Sequence, residues 1–182
     1  MLLERAGQAF EVRPADLDET PHPDEAPVAC LVRLAREKAL AVAGALAGGP
    51  PRLVLGADTG VLLGDDLLGK PRDPAHAVEL LSRLVGRSHR VVTAVAVADT
   101  AGARVLERHV ESRVRMRPAE RAEIEAYVSG GEPLDKAGAY ALQGEGRRFV
   151  VAVEGSESNV IGLPVEETLA LLEWARRERR AP

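Results

Sequence analysis

The sequence predicts an α/β fold on a mixed sheet, in one domain spanning residues 1–182. Three observations lead there. Apolar residues recur at helical spacing in some segments and in short strand-like runs in others, and the two kinds alternate along the chain. Hairpin signals interrupt the alternation, so the sheet is not purely parallel. The chain has 182 residues, 46% hydrophobic and 29% charged, which is enough apolar surface for one core without staples.

Taken in order, residues 1–8 read as the end of a helix stopped near Gly7, and Ala9–Arg13 as a short strand. Val28, Leu31, Leu34, Ala35, Ala39 and Val42 place a helix within 24–47, and Gly48-Gly49-Pro50-Pro51 ends it. Leu53–Leu55 is a buried strand leading into Gly56-Ala57-Asp58-Thr59-Gly60. Val61–Leu63 and Leu67-Leu68 flank Gly64-Asp65-Asp66, a hairpin signal. Asp73-Pro74 opens a helix, with Pro in its first turn, and Gly86 closes it. His89–Ala98 and Arg104–Met116 form strands around the turn 100–103. A helix starts at Pro118, a loop follows Ser129, Phe149–Val153 is a strand, and Pro164 starts the last helix. The terminal Arg176–Arg180 run reads as a solvated helix end.

Composition narrows the function. The longest clean apolar runs, such as Val91–Ala98, fall far short of the ~20 residues a bilayer requires. Glu4 and Arg5 interrupt the start too early for a signal peptide, and one cysteine, Cys30, excludes an intrachain disulfide. These features point to the cytoplasm. A net charge of −4 argues against a nucleic-acid polymer as partner but leaves room for a local basic pocket. Only three of the 24 basic residues are lysines, Lys38, Lys70 and Lys136; Asn159 is the only Asn, and Gln8 and Gln143 are the only Gln. In so Arg-rich a chain each surviving lysine invites a role, because a compact ammonium and a planar guanidinium are not equivalent at a phosphate.

Four segments carry chemical content. Asp58 ends an apolar strand, where open α/β sheets present ligands; it can hold a hard cation or a water, or equally close an Asx turn. Gly69-Lys70-Pro71 puts one positive charge at a hairpin base, fit for a phosphate or for a plain turn. Residues 130–144 form a long loop of small residues in which Gln143 carries the paired donor and acceptors that read a base edge. Gly155–Pro164, with Ser156, Ser158 and Asn159, favours a structural role at a helix start over an anion site. No G-x-G-x-x-G, Walker A, G-x-S-x-G or H-x-x-x-H sequence occurs.

The order of these motifs resembles the Maf family over nearly the whole chain. The resemblance rests on Asp18-Glu19, Arg36-Glu37-Lys38-Ala39, Ala57-Asp58-Thr59, Gly69-Lys70-Pro71, Gly86 with His89 and Thr93, Gly131-Glu132-Pro133 with Asp135-Lys136-Ala137-Gly138-Ala139-Tyr140 and Gln143-Gly144, and Asn159–Pro164. It implies a mixed-sheet Maf/ITPase-like fold with a nucleotide cleft, a divalent metal (Mg²⁺ or Mn²⁺) and a homodimer. It is similar to the branch acting on dTTP and UTP, which the Asp-Lys-Ala-Gly-Ala-Tyr…Gln-Gly stretch carries. By the same resemblance, Asp58 is the proton acceptor, Glu19 and Asp58 hold the metal, Lys38 and Lys70 meet the phosphates, and Thr59 and Gln143 help choose the base; Lys136 matches a family position with a less defined contact.

The resemblance departs at the start. Family members open with a strand and a Ser-x-Ser-Pro-Arg-Arg loop, whereas this sequence opens at Met1-Leu2-Leu3-Glu4-Arg5-Ala6-Gly7. The expectation is therefore that Met1 is an internal methionine of a longer frame. Ser112 and Ile161 stand where Thr and Val are common, without threat to function. The implied reaction is hydrolysis of a pyrimidine nucleoside triphosphate to the monophosphate and pyrophosphate. The alternatives are a nucleotide-binding regulatory protein with little catalysis, motivated by the absent loop, and a house-cleaning pyrophosphatase for modified nucleotides.

Overall fold

The computed structural model of the chain describes residues 2–102 and 104–180; the expectation about Met1 and the last residue of the turn 100–103 lie outside them. The strands are β1 (Leu53–Leu63), β2 (Asp66–Leu68), β3 (Ser88–Asp99), β4 (Val105–Met116) and β5 (Val150–Glu154), in the sheet order β2-β1-β3-β4-β5. Six α-helices accompany them among the described residues: α1 (Leu2–Arg5), α2 (Pro27–Ala45), α3 (Pro74–Leu84), α4 (Arg121–Ser129), α5 (Glu157–Ile161) and α6 (Val165–Arg180). The α/β expectation holds. The β1–β2 and β4–β5 pairs are antiparallel, with Val61 opposite Leu68 and Arg113 opposite Glu154. Thr100 donates its backbone N–H to the Arg52 carbonyl, so the end of β3 meets the start of β1 as antiparallel neighbours do. Inside the sheet, β3 is buried almost without interruption, Val91–Ala98, while the second half of β4 alternates.

The chain divides into two compact units, Met1–Asp58 with Thr93–Val110 and Gly162–Pro182, and Thr59–Val92 with Glu111–Ile161. In the first, Val95, Val97, Leu171, Leu172 and Ala175 form a buried cluster, with Leu53, Leu55, Leu106 and Leu163 packed on it. Helix α2 begins with Pro27 at its first turn, where a missing N–H costs nothing, and buries Cys30, Leu31, Leu34, Ala35, Ala39 and Ala43. The Arg-rich C-terminal run, residues 176–180, is exposed along the end of α6, the solvated helix end its composition suggests, and two of its arginines still find partners. Arg179 donates to both Asp99 carboxylate oxygens, at 2.6 and 2.8 Å, and Arg176 donates to the Gln8 side-chain oxygen at 2.9 Å.

Ala9–Arg13 does not form a strand. The segment is apolar in alternation, but no described strand pairs with it, and a strand without a ladder partner has nowhere to place its backbone groups. Phe10 and Val12 stay 39% and 63% exposed. In contrast, β1 runs unbroken from Leu53 through Gly56 and Gly60 to Leu63, so Asp58 lies within the strand and not at its end, where the sequence predicts it.

The second unit packs Leu81, Leu84, Val91, Val114, Ile124 and Phe149 into its core. Asp73 caps α3 by accepting the His76 backbone N–H at 2.7 Å. Asn159 is fully buried; its amide nitrogen donates to the Val91 carbonyl and to Ser112 Oγ, both at 3.0 Å. Ser112 Oγ in turn donates to the Ser156 carbonyl and accepts the Ser156 N–H. The Gly155–Pro164 segment thus has the structural role that its capping residues favoured.

Candidate active site

The first unit assembles three of the sequence-predicted residues around one ammonium. Lys38 lies on α2, Asp58 near the middle of β1, and Glu19 on the loop before α2. Lys38 Nζ sits 2.5 Å from Asp58 Oδ1 and 2.7 Å from Glu19 Oε1. Lys38 and Asp58 are largely sheltered, with side chains 20% and 15% exposed, and Glu19 is half exposed.

Local sequence explains this meeting. Residues 56 and 58 share one face of β1, because strand side chains alternate. A Cβ at Gly56 would stand 2.2 Å from the Ala35 carbonyl oxygen and 2.7 Å from the Ala39 backbone nitrogen. Only glycine lets β1 approach the backbone of α2 so closely, with small Ala35 and Ala39 completing the contact. Lys38 and Asp58 flank that contact. The loop that bears Glu19 is tied to α2 by Arg33, which donates to both Glu25 oxygens at 2.8 and 2.9 Å and to the Thr20 carbonyl at 3.2 Å. Those Arg33 hydrogen bonds, with the His22 N–H, pull the Glu25 carboxyl down to about 2. Asp18 braces the same loop by accepting the Thr20 N–H.

Burial works against the Lys38 charge, but the hydrogen bonds to Asp58 and Glu19 outweigh it and hold the ammonium above its ordinary pKa. The centre is two carboxylates on one ammonium. Lys38 also lies in the wall of a cavity of about 720 Å³, lined by 8–15 on one side and by β1 from Leu53 to Ala57 on another.

The second unit holds Thr59, Lys70, Lys136 and Gln143. Lys70 is exposed beyond the β1–β2 hairpin. Gly138 donates its N–H to the Gly69 carbonyl at 3.1 Å, so the loop bearing Lys136 and Gln143 is tied to the residue before Lys70. Gly138 has φ +67, and a Cβ there would stand 3.0 Å from the Val61 methyls; Ala139 follows at φ +58, a left-handed conformation that costs a non-glycine residue about 1 kcal/mol. Lys136 pairs with Asp135 at 2.6 Å, and Gln143 is exposed. Three 3-10 turns, Glu132–Asp135, Ala137–Ala139 and Glu145–Phe149, give this loop its order.

Three features of the site escaped the sequence reading. Gly56 follows the Leu53–Leu55 run with nothing in the sequence to mark a close approach. Glu132 sat in a turn-like Gly-Glu-Pro, yet its carboxylate accepts from Tyr127 Oη, Glu145 N and Gly146 N. Tyr140, named only within a motif, meets His89 Nε2 at 2.8 Å with the rings edge to face.

This is a mixed α/β protein in which a strand and a helix join backbone to backbone and hold a lysine–carboxylate centre at their contact. The family profile described as Maf-like protein matches residues 1–175, and the chain belongs to the Maf family. It is 51% identical over 177 residues to a protein of Anaeromyxobacter sp. (strain Fw109-5) named dTTP/UTP pyrophosphatase, covering 96% of this chain and 83% of the relative. Relatives of the same name in Myxococcus xanthus (strain DK1622) and Alcanivorax borkumensis are 51% and 47% identical, covering 96% of this chain and 86% and 89% of theirs.

Proposed function

We propose that the chain hydrolyses dTTP and UTP to the monophosphate and pyrophosphate. The observation that carries this reading is the Lys38–Asp58–Glu19 centre, in a chain 47–51% identical to proteins named for that activity. Water attacks the α-phosphorus and the bond to the β-phosphate oxygen breaks. The work of the protein is positioning and charge neutralisation. Asp58 orients the water and accepts its proton. Lys38 and Lys70 offset charge on the departing pyrophosphate. Thr59 and Gln143 hydrogen-bond the pyrimidine edge, and a wrong base leaves those groups unpaired. Lys136 adds positive charge to the same loop.

The donor chemistry of the centre fits a divalent cation held by Glu19 and Asp58. Two carboxylates against one ammonium leave a formal charge of −1, which repels a triphosphate until a cation offsets it. No cluster of three or more His, Cys, Asp or Glu able to hold a metal exists among the described residues, so phosphates and water would complete the shell, as suits Mg²⁺ or Mn²⁺. Such an ion supplies Lewis-acid polarisation of the phosphoryl oxygens. When phosphates compete for the Lys38 ammonium, Asp58 is freed to take the water proton.

A homodimer in the cytoplasm belongs to the same reading, supported by the resemblance; sedimentation of the purified chain tests the dimer. No described helix is long and apolar enough to cross a membrane. The deciding experiment measures pyrophosphate release from UTP, dTTP, and purine and modified triphosphates with Mg²⁺ or Mn²⁺, beside Asp58→Asn. Pyrimidine turnover that the variant loses supports the reading. Turnover equal in the variant, or faster on purines, overturns it.

A further inference from the structure

Glu132 is far more connected than a loop carboxylate needs to be. One oxygen accepts from Tyr127 Oη at 2.8 Å and from Gly146 N at 3.1 Å, and the other accepts from Glu145 N at 2.9 Å. Tyr127 Oη also accepts the Ala141 N–H at 3.2 Å. The backbone N–H groups of 141, 145 and 146 are therefore all gathered on one Glu–Tyr pair, and Gln143 lies between them.

The glycines of the turn are shaped to this pair. A Cβ at Gly144 would stand 2.3 Å from Glu132 Oε2, and one at Gly146 would stand 2.7 Å from Tyr127 Oη. Tyr127 is anchored beneath by an edge contact with Phe149, ring centroids 5.4 Å apart. Upstream, the left-handed Ala139 is followed by Tyr140, fixed on buried His89. Strain of that kind persists only where the surroundings over-determine the backbone. Burial alone would push the Glu132 carboxyl up, but the hydrogen bonds from Glu145, Gly146 and Tyr127 hold it below its usual range, so it is ionised at neutral pH.

We propose that Glu132, acting with Tyr127, is a positioning residue for base selection: it sets the 141–146 turn so that the Gln143 amide stands in one orientation toward the pyrimidine edge. This rests on the reading of Gln143 as a base-contacting group. An amide discriminates between bases only if its donor and acceptor ends are fixed; a turn that swivels lets either end adapt to either base. Charge-assisted hydrogen bonds to three donors are strong enough to fix it.

The test uses Glu132→Gln, nearly isosteric but presenting an amide N–H₂ to backbone N–H donors, and Tyr127→Phe as a second variant. Each is compared with Gln143→Ala and with the double variant Glu132→Gln/Gln143→Ala. The readouts are kcat/KM for UTP and for GTP, and amide hydrogen exchange at Glu145 and Gly146. The expected result is faster exchange at both amides and an about tenfold fall in the UTP:GTP ratio. GTP turnover itself should hold within about threefold, and Gln143→Ala should leave the substitution at Glu132 nothing further to change. A merely structural role would lower both substrates together and leave the ratio flat. A flat ratio in Glu132→Gln and Tyr127→Phe beside a fallen one in Gln143→Ala overturns the positioning role alone. A flat ratio in Gln143→Ala removes the base reading and this proposal with it. Unchanged exchange at both amides overturns the proposal whatever the ratio.

Discussion

Substituting Gly56 by alanine should dismantle the centre without touching any of its side chains. The new methyl carbon would lie 2.2 Å from the Ala35 carbonyl oxygen and 2.7 Å from the Ala39 nitrogen. Ordinary contact begins near ~3.5 Å, so β1 and α2 must part by roughly 1 Å. Both opposing atoms are backbone, and no rotamer change relieves them. Overpacking of this kind costs about 1–3 kcal/mol. For a chain of this length each kcal/mol lowers the melting temperature by ~2–4 °C, giving a fall of about 2–12 °C. A displacement of ~1 Å between positioned groups lowers rate by about 10²-fold. Thermal melts and pyrophosphate release from UTP measure the two effects. Gly44→Ala, on the same helix with nothing within 4 Å of its new carbon, is the control and should be neutral or slightly stabilising. A Gly56→Ala protein that melts and turns over like the parent would refute the close-contact argument.

Asp58→Asn should keep the melting temperature within a few degrees and lower kcat by at least about 10²-fold, read in the same assay at saturating metal. Lys38→Ala and Lys70→Ala should weaken UTP binding more than UMP binding in titration calorimetry; equal losses would assign them a structural role. Asn159→Ala should cost about 2–3 kcal/mol in urea unfolding, because the Val91 carbonyl and Ser112 lose a buried donor. His89 supplies a pH signature: burial pulls its pKa from 6.5 down to about 4, so the unfolded chain binds the extra proton between those values. That contribution to stability is complete above about pH 6.5 and is lost as pH falls toward 4, up to about 3 kcal/mol. His89→Gln should flatten the fall in unfolding free energy over that window, and an unchanged slope would remove His89 as its source.

How much of this was legible beforehand depends on whether the cause was local. The Gly64-Asp65 hairpin and the Asp73-Pro74 helix start are readable because the backbone conformation is dictated by the residues themselves. Ala9–Arg13 has strand periodicity, but periodicity says nothing about whether a neighbour is there to complete the ladder. The role of Gly56 is hidden for a related reason: a glycine in a strand fits a bulge as well as a close approach, and the approaching backbone, Ala35–Ala39, lies about twenty residues away. Lys38, Asp58 and Glu19 were chosen by motif order, whereas their convergence on one ammonium could come only from coordinates. Glu132 was passed over because its partners, at Tyr127 and 145–146, share no spacing rule with it.

The scarcity of lysine gives the molecule a built-in reporter. With ε-amines only at 38, 70 and 136, reductive ¹³C-methylation places three side-chain probes on the protein, each at or beside the groups assigned to the substrate. They are chemically unequal. Lys70 is exposed at a loop, Lys136 rests on one carboxylate at the surface, and Lys38 is sheltered and gripped by two, with its proton held more tightly than normal. Alkylation requires the neutral amine, so Lys38 should be the last to react. Any ligand that draws it away from Asp58 and Glu19 would announce itself as a change in that labelling order.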